Sequence, residues 1–377
     1  MDSVISNFKA HIRQSAADGT VLRIQGGGTK HFYGEHNLSH AVLDTRAYAG
    51  VVSYEPSELV VTARCATPLA ELEQLLTTQG QCLAYEPPHF GAAATVGGMV
   101  AAGLAGPSRA TVGGVRDHVL GVKMINGLGE ELTFGGQVMK NVAGYDVSRL
   151  LAGSMGTLGV ITEVSLKVLP SAPAEATLAC QLSQLDALNQ LHRWGAQALP
   201  LNASTWLNDH TDASNNGVLF VRLRGAVAAV EAACPRMIAE VQALGGQARR
   251  MEQLPAAEDW QAGREQTHSF FKAASSEHCL WRLSVPPTTP VLDLPYAMYI
   301  EWHGGLRWCW APVSAASQLR QAARQAGGHA TLFRRGLGVG DDVPVFTELP
   351  AVQLRIQRDL QKQFDPHAVF NTARLGI

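Results

Sequence analysis

The chain has 377 residues, 46% of them hydrophobic and 16% charged, and a formal net charge of -2. This composition is typical of a globular protein and argues against a disordered chain or a nucleic-acid-binding surface rich in basic residues. The length exceeds what one hydrophobic core usually supports, so the sequence predicts two domains. Six cysteines lie far apart without Cys-x-x-Cys spacing, which predicts reduced thiols and no metal site.

Neither the N-terminal segment nor the most apolar stretch of the chain predicts a membrane protein. Residues 1–19 mix charged and apolar side chains and lack the continuous apolar segment of a signal peptide. The most apolar stretch, residues 92–105, is interrupted by glycines and is too short to cross a bilayer. We therefore expect a cytoplasmic protein.

The first 170 residues alternate strand-like runs with glycine-rich stretches. A helix is predicted between Pro68 and Gly80, because apolar residues recur there at helical spacing between a Thr-Pro start signal and a glycine stop. The strand-like runs read VLRIQGG, ELVVTARC, HVLGVKMING and TLGVITEVSLKVLP.

The composition changes after residue 170, where predicted helices and strands alternate as in a second α+β domain. The predicted helices span residues 182–197 and 228–246, and the predicted strands span 218–225 and 279–287. A last helix is predicted after residue 350, stopped before Asp365-Pro366. The predicted organisation is 1–170, 171–345 and a C-terminal segment, 346–377, that returns to the first domain.

Three consecutive glycines, Gly26, Gly27 and Gly28, follow the first strand-like run. Without Cβ atoms, successive backbone N–H groups can approach an anion such as a diphosphate, although a tight turn would use the same residues. Two further glycine-rich stretches occur at residues 86–121 and 150–170. Neither GxGxxG nor a P-loop frame is present, which disfavours a nicotinamide Rossmann fold. Three such loops in one domain favour a large, flat, phosphate-bearing cofactor.

Five segments together resemble the FAD-binding oxidases of the vanillyl-alcohol oxidase type and, more narrowly, the FAD-binding E subunits of bacterial glycolate oxidases. The resemblance implies an α+β fold with a two-part PCMH-type FAD-binding domain and an α+β cap domain of the FAD-linked oxidase C-terminal type. The five segments are RIQGGGTKHFYG, ATVGGMVAAGLAGPSR, GGVRDHVLGVKMINGLGE, KNVAGYDVSRLLAGSMGTLGVITEVSLKVLP and FDPHAVFN.

The same resemblance implies which residues bind FAD. Covalent relatives often carry a histidine directly after the glycines, whereas this chain has Thr29, so non-covalent FAD is expected. The nearby His31 and His89 are expected to make loop hydrogen bonds. The implied cofactor-binding residues are Gly26, Gly27, Gly28, Thr29, Lys30, Thr95, Gly97, Gly98, Gly106, Arg109, Asp117, Gly156, Gly159, Ile161 and Asn371.

Oxidation of a 2-hydroxy acid needs a base for the hydroxyl proton and a cation for the carboxylate. Related catalytic subunits carry HxGDGNxH and GEHG motifs, but the corresponding residues 299–310 and 327–341 keep no ligand set, so no metal is expected. The candidate catalytic residues are Arg282, His303 and Arg307, each with a structural ion pair or packing role as the alternative. On a strand, Glu301 is expected to point away from His303.

The resemblance implies an FAD-binding subunit of a multisubunit glycolate oxidase that converts glycolate to glyoxylate. Its expected partners are a larger FAD-containing catalytic subunit and an iron-sulfur subunit that accepts the electrons, with inner-membrane contact through those partners and no nucleic acid. Two alternatives stay open. One is a stand-alone flavin-dependent 2-hydroxy-acid or alcohol dehydrogenase, and the other is a subunit whose FAD is structural.

Overall fold

The computed structural model describes residues 2–35, 41–136, 146–208, 217–272, 275–340, 342–370 and 373–376. Its mixture of helices and antiparallel sheets confirms the predicted α+β class. The chain forms two compact units. Unit 1 consists of Met1–Ala105, Gly113–Ser171 and Glu348–Ile377, and unit 2 consists of Gly106–Val112 and Ala172–Thr347.

Unit 1 begins with a long helix, α1 (Asp2–Asp18), which the sequence analysis did not predict. Its buried residues, Phe8, Ile12 and Ser15, follow helical spacing, but charged residues stand between them and obscure the pattern. The predicted helix before Gly80 is confirmed. The next helices in the chain are α2 (Leu69–Thr77), α3 (Val96–Ala102), α4 (Arg109–Val112) and α5 (Val115–His118), of which α4 belongs to unit 2.

The strands of unit 1 form three sheets, and each of the four predicted strand-like runs contains a strand. They are β1 (Leu22–Gln25), β2 (Ala41–Asp44), β3 (Val51–Glu55), β4 (Val60–Arg64), β5 (Gln81–Cys82), β6 (Val119–Ile125), β7 (Glu131–Gly135), β8 (Val160–Lys167) and β9 (Leu169–Pro170). An antiparallel sheet has the order β3-β4-β8-β6-β7, while β1 pairs with β2 in parallel and β5 pairs with β9. β8 lies between two strands and is buried along nearly its whole length.

Unit 2 is built on one antiparallel sheet of eight strands in the order β13-β10-β12-β11-β15-β16-β14-β17. The strands are β10 (Ala174–Gln181), β11 (Leu201–Asn208), β12 (Gly217–Gly225), β13 (Ala248–Arg250), β14 (His278–Ser284), β15 (Met298–Glu301), β16 (Leu306–Pro312) and β17 (His329–Arg334). The helices are α6 (Gln184–Gly195), α7 (Val227–Ala243), α8 (Gln253–Arg264) and α9 (Ala316–Gln325). The helices and strands predicted here from the sequence are confirmed.

The core of unit 2 lies on one face of this sheet. Trp281 and Leu283 of β14 are fully buried there in one cluster with Trp194, Met237 and Leu319 from the helices. Burial of each such side chain stabilises the fold by roughly 1.5–3 kcal/mol. Because side chains alternate along a strand, Arg282, which lies between Trp281 and Leu283, projects to the opposite face of the sheet.

The C-terminal part of unit 1 begins with α10 (Ala351–Phe364), which ends before Asp365-Pro366 as predicted. Burial raises the pKa of the Asp365 carboxyl, which accepts hydrogen bonds from the backbone N–H groups of Val369 and Phe370 at 2.9 and 2.8 Å. The backbone N–H of Leu22 in β1 donates to the carbonyl of Val369 at 2.7 Å. In the part of the chain that is described, no helix has both the length and the apolar composition needed to cross a membrane.

Candidate functional site

A cavity of about 120 Å³ opens beside the loop that follows β1 in unit 1. Its walls come from residues 23–31, from Thr95 and Gly98 at the start of α3, and from Arg374. The structure thus brings together seven of the residues predicted to bind the cofactor, namely Gly26, Gly27, Gly28, Thr29, Lys30, Thr95 and Gly98.

The three glycines let two loops touch at this cavity. A Cβ on Gly27 would lie 1.5 Å from the carbonyl oxygen of Ala93, and Gly28 has a left-handed φ of +73°. A side chain at Gly27 would force the loops apart, and one at Gly28 would strain the backbone and crowd the His31 ring. Within the described residues, no acceptor receives a hydrogen bond from the backbone N–H groups of Gly26, Gly27 or Gly28. These three donors are available to an anion in the cavity.

The first turn of α3 contributes differently from the glycine loop. The Thr95 hydroxyl accepts a hydrogen bond from the backbone N–H of Gly98 at 3.2 Å and so caps the helix. The N–H groups of Val96 and Gly97 donate to the carbonyls of Thr67 and Cys65 at 3.0 and 2.7 Å. Because these N–H groups already have acceptors, the glycine loop is the better anion-binding segment.

The electrostatics of the cavity favour a negative ligand. Arg23, Lys30 and Arg374 line it, and among the described residues no carboxylate side chain does. Arg23 places its NH1 atom 3.1 Å from the Nδ1 atom of His31, while its Nε atom is buried without a hydrogen-bond partner. Arg374 donates to the carbonyls of Lys30 and His31 at 3.2 and 2.8 Å. Burial, reinforced by the charge of Arg23 and opposed by Glu35, lowers the pKa of Arg374. An anion between the two arginines would stabilise both charges.

The residues next to the glycines hold a second loop in place. Thr29 and Lys30 donate to the carbonyl of His89 at 2.8 and 3.0 Å. The His89 ring lies 3.0 Å from the Glu73 carboxylate. His31 and His89 therefore make the loop hydrogen bonds that the sequence analysis predicted.

Other predicted cofactor residues of unit 1 lie outside this cavity lining. Gly97 packs against Cys65, and the Asp117 carboxylate accepts a hydrogen bond from the backbone N–H of Gly114 at 2.8 Å. Gly156 and Gly159 have left-handed φ angles of +76° and +145° in the turn before β8.

The remaining predicted cofactor-binding residues lie in three different parts of the chain. Ile161 pairs with Met124 inside the antiparallel sheet. Gly106 and Arg109 belong to unit 2, because the Trp302 indole donates to the Gly106 carbonyl at 2.9 Å and lies 4.5 Å from the Arg109 guanidinium. Asn371 lies outside the described residues.

Arg307, one of the three candidate catalytic residues, is completely buried in unit 2. Its guanidinium donates to the backbone carbonyls of Thr289, Pro290 and Gly304 at 2.5, 2.7 and 3.3 Å. Burial lowers its pKa to about 10. Because all three nitrogens donate to backbone carbonyls and the side chain is completely buried, Arg307 stabilises a loop and is not accessible to a substrate.

His303 is held among hydroxyl groups of the same unit. Its Nδ1 atom lies 3.0 Å from the Ser204 hydroxyl, and its Nε2 atom lies 3.3 Å from the Thr111 hydroxyl. Burial lowers the pKa of His303 to about 4, so the ring is neutral near pH 7. A ring of such low basicity is a weak proton acceptor and a suitable hydrogen-bond partner.

Arg282 and Glu301 lie on the face of the eight-stranded sheet opposite the helix-covered core. The Arg282 guanidinium lies 5.3 Å from the Trp302 ring and 5.9 Å from the Trp308 ring. Glu301 is buried and accepts a hydrogen bond from the Trp308 indole at 2.7 Å. The strand on which Glu301 and His303 were expected to point apart does not include His303, because β15 ends at Glu301 and both Trp302 and His303 have left-handed φ angles, +53° and +55°. Residues two apart on a strand would in any case share a face.

Sequence reasoning did not identify Glu301 as a functional residue. The signal that could have found it is an acidic residue in an otherwise apolar strand, MYIE, directly before a cluster of tryptophans. No group of three or more histidine, cysteine or acidic side chains in the described ranges has the arrangement of a metal site. None of the six cysteines forms a disulfide, and five of them are buried.

Comparison with known proteins first defines the class. Residues 5–135 match the family model of the FAD-binding domain. The fold matches the solved structure of alkyldihydroxyacetonephosphate synthase with a TM-score of 0.68, over 97% of this chain and 74% of the other, at 15% identity. The molecule is thus an FAD-binding protein, as its sequence motifs predicted, and it shares the fold of that synthase.

Closer relatives narrow this class. The chain is 42% identical to glycolate oxidase subunit GlcE of Escherichia coli (strain K12), over 97% of this chain and 95% of that protein. This chain belongs to the family of glycolate oxidase E subunits. Glycolate oxidase subunit GlcD of Bacillus subtilis (strain 168) is 32% identical over 137 residues, which are 36% of this chain and 29% of that protein.

Proposed function

We propose that the chain is the FAD-binding subunit of a multisubunit glycolate oxidase, which oxidises glycolate to glyoxylate. The observation that supports this function most strongly is the 42% identity to subunit GlcE across nearly the full length of both chains. The cationic cavity beside the glycine loop adds a physical reason, because its donors and charges suit a diphosphate.

In this proposal the loop of Gly26, Gly27 and Gly28 binds the diphosphate of FAD through its backbone N–H groups. Arg23 and Arg374 offset the negative charge from the cavity wall. The cofactor is bound non-covalently, since Thr29 occupies the position directly after the glycines. Bound FAD supplies a hydride acceptor.

The proposed partners are a larger FAD-containing catalytic subunit and an iron-sulfur subunit. The chain's own described residues offer no cluster of metal-binding side chains, so the proposal assigns the iron-sulfur centre to another chain. The complex works in the cytoplasm and reaches the inner membrane through its partners.

Two of the three candidate catalytic residues stay in the proposal. Arg282 supplies a cation for the substrate carboxylate, and His303 supplies a neutral hydrogen-bond partner. Arg307 is left out because it is completely buried and each of its nitrogens donates to a backbone carbonyl.

Purification of a tagged chain from its native cells tests this function. The expected result is a complex with two further subunits that contains flavin and iron-sulfur chromophores and reduces an electron acceptor with glycolate. The isolated chain should bind FAD, with slow reduction by glycolate. A well-folded chain that takes up no FAD, or that purifies alone from cells oxidising glycolate, would contradict the proposal.

A stand-alone flavin-dependent hydroxy-acid dehydrogenase is the second candidate function. The observation that favours it is the Arg282 and Glu301 arrangement, which gives unit 2 a cation and a carboxyl group of its own. A panel of hydroxy acids and alcohols with an artificial electron acceptor separates the two functions. Turnover by the isolated chain supports the second candidate, and the absence of turnover with every compound rejects it.

A further inference from the structure

The Arg282 guanidinium in unit 2 is positioned by aromatic rings. It lies 5.3 Å from the centre of the Trp302 ring and 5.9 Å from the centre of the Trp308 ring. Both tryptophans are 4% exposed and thus fixed by packing, whereas Arg282 is partly exposed. Aromatic faces hold a cation without using its N–H donors. Across the described ranges, no acceptor takes a hydrogen bond from this guanidinium, so its planar fork is available to a ligand.

Trp308 connects Arg282 to a buried carboxyl group. Its ring contacts Arg282, while its indole N–H donates to the Glu301 Oε2 atom at 2.7 Å. The sheet register explains this arrangement. Arg282 pairs with Trp308 and Trp308 pairs with Tyr299, which lies two residues before Glu301 and therefore on the same face.

Arg282 and Glu301 are close but do not neutralise each other. The charge of Arg282 acts on the Glu301 carboxyl, yet no ion pair within 4.0 Å joins them in the described part of the chain. The N–H donors of Arg282 therefore lack an acceptor among the residues that the structure describes, although a carboxyl that is only 6% exposed lies nearby. A small anion bound at the exposed part of Arg282 would accept these hydrogen bonds and balance the charge of the guanidinium.

We propose that Arg282 and Glu301 form a binding site for a small monocarboxylate, in which Arg282 holds the carboxylate and Glu301 takes up a proton when the ligand binds. The ligand class is a 2-hydroxy acid or its 2-oxo product, and this choice rests on the proposed function. A guanidinium binds a carboxylate through two parallel hydrogen bonds, which gives the ligand a fixed orientation.

The proton uptake follows from the groups around Glu301. Burial raises the pKa of Glu301 to about 7, against the opposing effects of Trp308 and Arg282. Burial lowers the pKa of His303 to about 4 and raises that of Tyr299, so both groups are neutral near pH 7. Burial and the charge of Arg282 also lower the pKa of His329. A bound carboxylate adds negative charge near Glu301 and favours its protonated form. The ligand should therefore bind more tightly as the pH falls through 7.

Calorimetric titration of the FAD-loaded full-length chain with glycolate tests this site, with the flavin absorbance recorded in parallel to separate binding from reduction. Affinity should be about three- to tenfold higher at about pH 6 than at about pH 8, as a coupling of up to about one pKa unit implies. Arg282→Gln should weaken binding at least about tenfold at both pH values, and Arg282→Lys by less. Glu301→Gln should give equal affinities at the two pH values.

Three controls test whether binding depends on this site and on the charge of the ligand. Arg250→Gln removes a guanidinium that pairs with Glu231 on the surface of the same unit, and it should bind glycolate like the wild type. Glycolamide, which lacks the carboxylate charge, should not bind. Glu301→Asp keeps a titratable carboxyl and should keep a pH dependence. Circular dichroism and FAD content verify that each variant is folded.

Unchanged binding by Arg282→Gln, or an unchanged pH dependence in Glu301→Gln, would overturn the inference. The proposed function fails on different evidence. An active complex whose FAD-binding chain binds no glycolate would reject this site and the substrate contact of Arg282, while the assignment of the chain as an FAD-binding subunit of glycolate oxidase would stand. Glycolate binding with the predicted pH dependence, by a chain that assembles into no active complex, would support this site and reject the multisubunit function.

Discussion

The candidate cofactor cavity of unit 1 is walled largely by main chain, whereas the candidate carboxylate site of unit 2 is made of side chains on a sheet face. In unit 1 the donors are the N–H groups of a glycine loop that touches the Ala93 carbonyl. In unit 2 the donor is the Arg282 guanidinium, held by two indole rings. The first site requires the absence of side chains, and the second requires a particular register of large ones.

This difference predicts how each site responds to substitution. A main-chain site fails when any Cβ is added, because the backbone itself has to move. A side-chain site can be altered one chemical group at a time, since the sheet beneath it keeps its hydrogen bonds. The expected effects should accordingly be abrupt in unit 1 and graded in unit 2.

Gly27→Ala should have the largest effect of any single substitution in the two units. Its Cβ would lie 1.5 Å from the Ala93 carbonyl oxygen, so the loop has to separate from its neighbour and the cavity has to change shape. We expect purified protein without measurable FAD, recorded as the ratio of flavin to protein absorbance. Overpacking of this kind also destabilises a fold by about 1–3 kcal/mol or more.

Gly195→Ala in α6 is the matched control for this substitution. No heavy atom lies within 4 Å of the position that its Cβ would occupy. The control should bind FAD normally and be slightly more stable, by about 0.4–1 kcal/mol. Full FAD content in Gly27→Ala would show that the glycine loop does not form the cofactor cavity.

Arg307→Ala should cause the next largest effect, on stability rather than on ligand binding. The change leaves the carbonyls of Thr289, Pro290 and Gly304 without their donor and opens a hole in a buried region. We expect a loss of about 3–5 kcal/mol in the free energy of unfolding, measured by urea denaturation.

The surface substitution Arg236→Ala controls for the loss of an arginine. Its ion pair with Glu240 is solvent-exposed and should contribute less than about 1 kcal/mol. If Arg307→Ala were as stable as the wild type but inactive in the assembled complex, Arg307 would return to the set of substrate-binding residues.

The main-chain site could be predicted from the sequence to a large extent. Glycine clusters mark backbone contacts directly, so Gly26, Gly27 and Gly28 were recognised without any tertiary information. Arg374 was not predicted, because the contact between its guanidinium and the glycine loop joins positions more than three hundred residues apart. The helix α1 was missed because its buried face contains few apolar residues.

The side-chain site could be predicted only in part. Arg282 and His303 were proposed from their residue types, but the role of Arg307 depends on burial, which the local sequence does not reveal. The expected orientation of Glu301 relative to His303 assumed a continuous strand, and the left-handed residues Trp302 and His303 that end it could not be recognised from the sequence. Its contact with Trp308 depends on the pairing of β15 with β16.

Glu301→Gln should change the pH dependence of stability in unit 2. Burial raises the pKa of Glu301 from its ordinary value of 4.5 to about 7, so the folded state holds a proton that the unfolded state loses. This contribution is fully present below pH 4.5 and is lost as the pH rises through 7. Relative to Glu301→Gln, the wild type should lose about 3 kcal/mol of stability between about pH 4.5 and about pH 8.

Urea denaturation at a series of pH values measures this difference. Glu231→Gln provides a contrast of opposite sign, because a hydrogen bond from Arg250 lowers the pKa of Glu231. The stabilising contribution of Glu231 is present at neutral pH and is lost as the pH falls. Parallel pH profiles for the wild type and Glu301→Gln would show that Glu301 is charged in the fold at neutral pH.

Thr95→Val should have the smallest effect on stability, and it separates helix capping from cofactor binding. The substitution removes the hydroxyl that accepts the hydrogen bond from the Gly98 N–H, at a cost of about 1 kcal/mol in the free energy of unfolding. Since Thr95 also lines the cavity, the dissociation constant for FAD should rise. Ser183→Ala removes the corresponding cap of α6 in unit 2, where the Ser183 hydroxyl accepts a hydrogen bond from the Asp186 N–H at 3.1 Å.

Both variants should lose similar stability by urea denaturation, while fluorescence titration with FAD should detect weaker binding in Thr95→Val alone. This outcome would show that the start of α3 acts on the cofactor through its capping residue, although the glycine loop supplies the free N–H donors. Equal FAD affinities in the two variants would restrict the cofactor contacts of unit 1 to the glycine loop and its arginines. The side chain of Thr95 would then line the cavity without contributing to FAD binding, and main-chain donors would account for more of the cofactor contacts in unit 1.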